Sequence, residues 1–286
     1  MEWTDLLREL TRTLTHLHRQ GVRYVNVQPD AELASLQAVP AAAPAAPVAL
    51  SAPAPSRRFP PMAEPPAAAP VTAQAAEPAG LPSKPPEEIG TLESLYMQYR
   101  GCQACKLGAT RNRFVFGIGS ERPRIMFIGE GPGAEEDQQG LPFVGRAGQL
   151  LTGFIQAMGL VREDVYITNV VKCRPPGNRN PEPDEVASCR PILRRQIELL
   201  DPTLIVTLGN VPLKSLNPGA AGITKERGRV FQFERWRVFP TFHPSFLLRS
   251  PDMIGECWAD LRRAFALAYP QSTDAGASGG SSGATA

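Results

Sequence analysis

Short apolar runs alternate with segments of helical spacing between residues 91 and 270. The runs that predict buried strands lie at 124–129, 165–171, 203–209 and 238–242. Apolar residues at helical spacing predict helices at 91–100, 145–160, 182–200 and 251–269, with a further short helix after the third strand. Strands that alternate with helices form a parallel sheet that is covered on both faces. The pattern therefore predicts an α/β domain.

The carboxyl ends of the four predicted strands share a composition. Glycine and polar residues collect there, at 129–130, 169–174, 209–210 and 243–245. In open α/β folds, ligands bind in the crevice beyond the carboxyl ends of parallel strands. We therefore expect the functional site at this edge of the sheet.

The two ends of the chain differ from the middle. Leucines at helical spacing predict an amphipathic helix over residues 4–20, but no motif there indicates a partner. Residues 38–86 contain 14 Pro and 17 Ala among 49 residues, and such a segment cannot bury enough apolar surface to offset its ordering entropy. The predicted organisation is a helical segment (1–37), a disordered Ala/Pro linker (38–90), the α/β domain (91–270) and a disordered Ser/Gly/Ala tail (271–286).

Charge and hydropathy narrow the class of protein. The formal net charge of the chain is +2, while residues 91–270 carry 23 basic and 18 acidic residues, an excess compatible with nucleic-acid binding. No stretch of 18 apolar residues and no secretory signal pattern occurs. We expect a cytoplasmic protein that is a monomer and does not associate with membranes.

The cysteines form a spaced set. Cys102 and Cys105 make a C-x2-C pair, Cys173 follows the second predicted strand, and Cys189 lies on the next helix. Four thiolates in two halves suit either tetrahedral zinc or an iron–sulfur cluster, and the spacing does not decide between them. Four protein ligands leave no open coordination position, so the metal would be structural. Cys257 stands apart and is expected to be a buried thiol.

Two loops at the strand ends carry candidate chemistry. The first begins at Gly129 and contains a formal G-x-G-x-x-A motif, but Pro132 and three consecutive acids, residues 135–137, argue against a bound pyrophosphate. The last loop begins at His243, the only histidine of the α/β domain, and continues through Leu247 and Arg249. Leu247 and Leu248 are either the first turn of a core helix or an apolar wedge for DNA, with Arg249 as a phosphate contact.

Together these motifs resemble the family 4 (iron–sulfur) uracil-DNA glycosylases. They occur in the family's order and span roughly residues 93–268, so the resemblance does not cover the N-terminal 90 residues or the tail. The motifs that carry the resemblance are Cys102-x2-Cys105, the Gly-rich loop at 129–133, Pro-Phe-Val-Gly at 142–145, Thr-Asn-Val-Val-Lys-Cys-Arg-Pro-Pro at 168–176, Cys-Arg-Pro at 189–191 and His-Pro-Ser at 243–245.

The resemblance implies a fold, a cofactor and a reaction. The fold would be a three-layer αβα sandwich with a central four-stranded parallel sheet. A [4Fe–4S] cluster would be held by Cys102, Cys105, Cys173 and Cys189. The enzyme would flip uracil out of single- or double-stranded DNA and hydrolyse its N-glycosidic bond, which leaves an abasic site for base excision repair.

The resemblance also implies roles for individual residues. Phe143 would stack on the flipped base, Asn169 would pair with O4 and N3–H of uracil, and His243 would hydrogen-bond uracil O2. The alternatives without a function are that Phe143 is a core aromatic residue, Asn169 a turn residue at a strand end and His243 a structural histidine. Further substrate contacts are assigned to Gly131, Gly133, Ser245, Leu247 and Arg249.

The group that positions the attacking water is the least determined. Gly131 stands where better-known uracil glycosylases place an aspartate. Glu130 ranks first as the replacement, and Asn178 and Glu136 rank lower. No lysine nucleophile is present, so a lyase step is not expected.

Three other functions remain open at this point. The same fold could excise another deaminated base such as hypoxanthine, the domain could be a non-catalytic single-strand DNA-binding protein, or the cysteines could hold an electron-transfer cluster. Arg179, Lys214 and Arg249 are alternative phosphate contacts.

Overall fold

The computed structural model describes residues 84–270. The predicted N-terminal helix, most of the Ala/Pro linker and the tail lie outside the described residues. The first described residues already belong to the fold, because Pro86–Glu88 form a 3-10 turn and Ile89 is 4% exposed. Arg195 Nε donates to the Ile89 carbonyl at 2.7 Å. The folded part of the chain therefore extends upstream of residue 91.

Helices and strands alternate in the order expected from the sequence. The strands are β1 Ile118–Gly119, β2 Ile125–Gly129, β3 Tyr166–Asn169, β4 Leu204–Leu208, β5 Phe231–Phe233 and β6 Trp236–Thr241. The helices are α1 Leu92–Tyr99, α2 Ala134–Gln139, α3 Arg146–Ala157, α4 Pro183–Leu200, α5 Asn210–Leu216, α6 Ile223–Glu226, α7 Pro244–Leu247 and α8 Ile254–Ala268.

The strands form one sheet in the order β1-β3-β2-β4-β6-β5. The four inner strands pair in parallel, which confirms the central four-stranded parallel sheet. The two outer strands, β1 and β5, pair antiparallel with their neighbours and close the edges. Both are only two or three residues long, too short for a periodicity of two to be read from the sequence.

Alternate residues of the strands point into two separate cores. Met126 and Ile128 pack in a core with residues of α1 and α4, whereas Ile125 and Phe127 pack in a core with residues of α3 and α8. Side chains of successive strand residues point to opposite faces, so both faces of the sheet are apolar and both need a helical cover. The architecture is therefore a three-layer αβα sandwich, as expected.

Helix α4 carries one of the spaced cysteines, and its start is well defined. Pro183 occupies the first turn, where no intrahelical N–H bond is lost, and the Glu185 carboxylate accepts the N–H of Glu182 at 2.7 Å. The helix ends at Asp201, which adopts a left-handed conformation with φ of 43°. No helix within residues 84–270 is long and apolar enough to cross a membrane.

Candidate active site

Residues at the ends of three inner strands, together with one loop aromatic, converge on one place. An ideal Cβ built on Gly129 would lie 2.4 Å from Cζ of Phe143 and 2.5 Å from Oδ1 of Asn169. The rings of Phe143 and His243 lie 5.6 Å apart at their centroids. We call these four residues the strand-end cluster. The sequence placed them at one sheet edge, and the structure brings them into contact.

Phe143 is held in the cluster by an unusual backbone. Its φ is +53°, a left-handed conformation that bulky residues seldom adopt. The turn passes directly over α3, where a Cβ on Gly148 would lie 1.9 Å from the Phe143 carbonyl oxygen. Only glycine fits at position 148. The sequence analysis did not single out this residue, although an isolated glycine within a helical pattern is a signal of close packing.

The Asn169 side chain is buried with an unused acceptor. The residue is 2% exposed, and its Oδ1 has no hydrogen-bond partner among the described residues. An unsatisfied buried carbonyl costs roughly 1–3 kcal/mol, so it marks either strain or a site for a donor from a ligand. A side chain at position 129 would collide with this oxygen and with the Phe143 ring, so the close approach of Asn169 and Phe143 requires glycine there.

His243 presents one ring nitrogen to the cluster as a donor. Its Nδ1 accepts the backbone N–H of Ser245 at 3.1 Å and lies 2.8 Å from the Ser245 hydroxyl. In the neutral ring the proton therefore sits on Nε2. Burial, with a smaller contribution from the positive charge of Arg249, lowers the pKa of His243 to about 4. The imidazole is thus a neutral hydrogen-bond donor near neutral pH.

Glu130 follows the strand end directly and is partly buried. Burial raises the pKa of its carboxyl group above the ordinary value, and its carboxylate forms no ion pair within residues 84–270. The next residue, Gly131, packs tightly, because a Cβ there would lie 2.8 Å from Cγ2 of Val171. Glu130 is therefore a partly buried carboxylate at the strand end, whereas Glu135 of the same loop is exposed.

Glu136 is bound by its own loop. Its Oε1 accepts the N–H groups of Val144 and Gly145, both at 2.9 Å, and Oε2 accepts the N–H of Gly133 at 3.1 Å. These bonds tie the glycine loop to the turn that carries Phe143. The carboxylate also occupies the amino end of α2, which leaves no anion-binding role for that end and agrees with the rejection of a dinucleotide motif.

The loop after Cys173 holds its polar residues in different ways. Asn178 is exposed, has a φ of +56°, and accepts a hydrogen bond from Nε of Arg174 at 2.7 Å. Arg179 forms two hydrogen bonds with the buried Glu185 carboxylate, at 2.6 and 2.8 Å. This pairing lowers the pKa of Glu185 to about 2. Arg179 is therefore engaged within the protein.

The segment after His243 requires one correction. Leu247 is 0% exposed and packs in the core with α3 and α8, so it is a core residue and the wedge prediction for its side chain is wrong. The backbone of α7 directs this residue inward, because its apolar positions follow helical spacing. Leu248 is partly exposed and Arg249 is exposed, so these two residues reach the surface.

The four spaced cysteines line one cavity. Cys102 and Cys105 are partly exposed, whereas Cys173 and Cys189 are buried. The remaining lining residues are Ala104, Gly108, Phe114, Ser188 and Ile192. No set of three or more His, Cys, Asp or Glu side chains within residues 84–270 is arranged around a single metal position. The four cysteines nevertheless line the same cavity. Cys257 is 1% exposed and belongs to the core on the other face of the sheet.

Hydrogen-bond donors surround the cysteine sulfurs. Nη1 of Arg111 lies 3.3 Å from Sγ of Cys173, and the N–H of Ala104 lies 3.4 Å from Sγ of Cys102. Burial raises the pKa of Cys173 to about 11 and that of Cys189 to about 12, so both thiols are protonated unless a positive centre binds them. Soft sulfur donors in a buried, donor-rich pocket fit a thiolate-ligated metal group.

Lys172 is a site residue that the sequence analysis did not identify. It is 0% exposed, and its Nζ donates to Oγ1 of Thr168 at 2.6 Å and to the carbonyl of Asn169 at 2.7 Å. Burial lowers its pKa to about 7. The sequence offered one signal for this residue, because Lys172 directly follows the apolar strand run at 165–171 and has no acidic residue beside it.

Comparison with known proteins identifies relatives of this chain. A family model described as the uracil DNA glycosylase superfamily matches residues 116–262. A type-4 uracil-DNA glycosylase of Thermotoga maritima is 49% identical over 161 residues, which cover 56% of this chain and 84% of that protein. The type-4 enzyme of Saccharolobus solfataricus is 45% identical over 184 residues (61% and 85%), and that of Archaeoglobus fulgidus is 40% identical over 181 residues (60% and 91%).

Proposed function

The chain belongs to the uracil DNA glycosylase superfamily, and from this premise we propose that it removes uracil from DNA by hydrolysis of the N-glycosidic bond. The reaction leaves an abasic site for base excision repair. The observation that carries the proposal is the strand-end cluster, in which a buried amide oxygen without a partner faces an aromatic ring and a neutral histidine.

Base recognition follows from the donors and acceptors of the cluster. Asn169 Oδ1 accepts N3–H of uracil while the amide Nδ2 donates to O4, and cytosine presents the reverse pattern at these two positions. The missing donor for Oδ1 is thus supplied by the substrate. A site that is built to hydrogen-bond its substrate discriminates strongly against an analogue that leaves these groups unpaired. Phe143 stacks on the flipped base.

Bond cleavage places negative charge on the departing uracil. The Nε2–H of His243 donates to uracil O2, where this charge develops, and the backbone N–H of Gly131 adds a further donor. The N–H of Gly133 is bonded to the Glu136 carboxylate, so Gly133 contributes to the shape of the loop and not as a donor. A neutral imidazole is suited to this role because it can donate a hydrogen bond to the leaving group and still keep its proton. Ser245 fixes the tautomer through its bond to Nδ1.

Glu130 positions the water that attacks the sugar. Its carboxylate is partly buried and lacks an ion-pair partner in the described part of the chain, and its raised pKa brings it closer to the range of a general base. Asn178 is a second polar group on the neighbouring loop. Glu136 serves as a positioning residue, because its oxygens accept three backbone N–H groups.

Contact with DNA is assigned to the surface around this edge of the sheet. Arg249 and the exposed Lys214 are available for phosphate, whereas Arg179 is paired with Glu185. Leu248 replaces Leu247 as the apolar side chain of this segment that can reach a base step. The domain that carries these functions corresponds to residues 91–270 with the short upstream segment that packs on it.

Cys102, Cys105, Cys173 and Cys189 would hold a [4Fe–4S] cluster. The support is that four sulfurs line one cavity with N–H donors beside them, and the resemblance to the family 4 (iron–sulfur) enzymes favours the cluster over zinc. When bound, the cluster supplies a structural cross-link between the two halves of the cysteine set. None of the steps above passes through it.

One assay tests the proposal. Purified protein is incubated with labelled single and double strands that contain one uracil, one hypoxanthine or one T:G mismatch, and alkali-labile breaks are counted. We expect breaks at uracil. Breaks at hypoxanthine alone would assign the activity to another deaminated base, and binding of single strands without any break would make the domain a non-catalytic binder.

The cofactor is tested separately on the same preparation. A broad visible absorption with iron and sulfide in equal amounts supports the cluster. A colourless protein that contains zinc would contradict the cluster and leave the glycosylase activity unaffected.

A further inference from the structure

Lys172 lies between the cysteine site and the base-reading asparagine. Its side-chain Nζ holds the carbonyl oxygen of Asn169 at 2.7 Å. Its backbone N–H donates toward the sulfur of Cys189, and Cys173 is its neighbour in the chain. One residue therefore contacts both sites, with its side chain on one and its backbone on the other.

A chain of hydrogen bonds orients the ammonium group. The Thr168 hydroxyl donates to the carbonyl of Phe116 at 2.7 Å and accepts from Nζ of Lys172 at 2.6 Å. Gln196 Nε2 donates to the same Phe116 carbonyl at 3.0 Å. Thr168 is 0% exposed, so this hydrogen-bond network is buried. It ends at the backbone carbonyl of Asn169.

Lys172 has no carboxylate partner. It forms no ion pair with Asp or Glu in the described part of the chain. Burial of a side-chain amine is costly unless its N–H groups are paired, and the acceptors that it meets are Oγ1 of Thr168 and the carbonyl of Asn169. The bond to Asn169 is therefore one on which the buried lysine depends.

We propose that Lys172 is a positioning residue for uracil recognition, which fixes Asn169 through its backbone carbonyl. The inference rests on the proposed function, since the role of Asn169 belongs to it. A lost ammonium would free the Asn169 carbonyl and shift the amide that reads the base. A displacement of about 1 Å in a positioned group costs on the order of 100-fold in rate.

A double-mutant cycle tests the link to Asn169. Lys172→Met is measured in the wild-type protein and in the Asn169→Ala variant by single-turnover uracil release. We expect kcat/KM to fall about 10- to 100-fold in the first background and no more than about 2-fold in the second. Inhibition by free uracil should weaken in parallel. Equal losses in both backgrounds would overturn the positioning role.

Iron content separates a positioning role from an effect on the cysteine site. Iron and visible absorption should be retained in Lys172→Met, so that the loss of uracil release does not come from a lost cluster. Lys225→Met, which removes an exposed lysine on α6, is the matched control and should leave both iron content and uracil release unchanged. Loss of iron in step with uracil release would overturn the positioning role.

A second variant covers the case in which Lys172→Met does not fold. Thr168→Val removes an acceptor of the ammonium and keeps the charge. It should lower uracil release less than Lys172→Met does, lose its effect in the Asn169→Ala background and retain the iron content. Additivity with Asn169→Ala would count against the proposal. A wild-type protein that releases no uracil would instead defeat the proposed function, and the affinity of the variants for free uracil would still decide whether Lys172 positions Asn169.

Discussion

Gly148→Ala should inactivate the enzyme through Phe143, although alanine favours helices over glycine. A Cβ at position 148 would lie 1.9 Å from the Phe143 carbonyl oxygen, 2.0 Å from its carbon and 2.7 Å from its Cα. Since ordinary contacts begin near 3.4 Å, the turn has to move by more than 1 Å. All three atoms are backbone, so no side-chain rotation relieves the overlap. A displacement of this size predicts a loss of about 100-fold in kcat/KM.

The matched control lies on the same helix. Gly153 has nothing within 4 Å of an ideal Cβ, so Gly153→Ala should leave uracil release unchanged and stabilise the protein by about 0.5–1 kcal/mol. Gly148→Ala should instead lower stability by about 1–3 kcal/mol, the usual cost of overpacking. Single-turnover excision from a uracil-containing single strand and thermal melts measure both effects. If Gly148→Ala kept full activity with a raised Tm, the tight packing of Phe143 on α3 would be refuted.

Three further predictions concern the site. The fall of kcat at acid pH should reflect protonation of Glu130, whose pKa is raised, because His243 with a pKa of about 4 stays neutral to lower pH. In Glu130→Gln this fall should move down toward pH 4, and an unchanged pH profile would contradict the assignment. Asn169→Ala should retain the visible spectrum and lose uracil release about 100-fold or more, as read by strand cleavage, whereas retained discrimination between uracil and cytosine would remove Asn169 from base reading. Cys173→Ala should give colourless, poorly folded protein in absorption and circular dichroism, because metal ligation contributes folding free energy, and a fully coloured variant would exclude Cys173 as a ligand.

The inner sheet could be predicted because its strands are long and apolar on both faces. The run at 203–209 contains β4 at Leu204–Leu208, and the run at 124–129 contains β2 at Ile125–Gly129. The edge strands were not predicted, because β1 has only two residues and β5 only three. The short helix α2 was not predicted either, since it has too few residues to show a helical period.

The site could be predicted in position and in part of its membership. Parallel strands bring their carboxyl ends to one edge, so Gly129, Asn169 and His243 were expected together from connectivity alone. What Glu136 does could not be predicted, because its three acceptor bonds depend on a backbone path through residues 133–145 that no local pattern encodes. Leu247 was misassigned because a leucine beside an exposed arginine has the same local sequence in a core helix and in a wedge.

The six residues from Thr168 to Cys173 join the two sites of the protein. Asn169, the proposed base-reading residue, lies near one end of this segment, and Cys173 lines the cysteine cavity at the other. Between them, the N–H of Val170 donates to the Gly129 carbonyl at 2.9 Å and that of Val171 to the Glu130 carbonyl at 3.1 Å. The segment is thus tied to the loop that carries Glu130, the proposed water-positioning residue. A cluster at the cysteine site would anchor one end of it, and we expect loss of the cluster to weaken base reading and water positioning together, because both depend on the placement of these six residues.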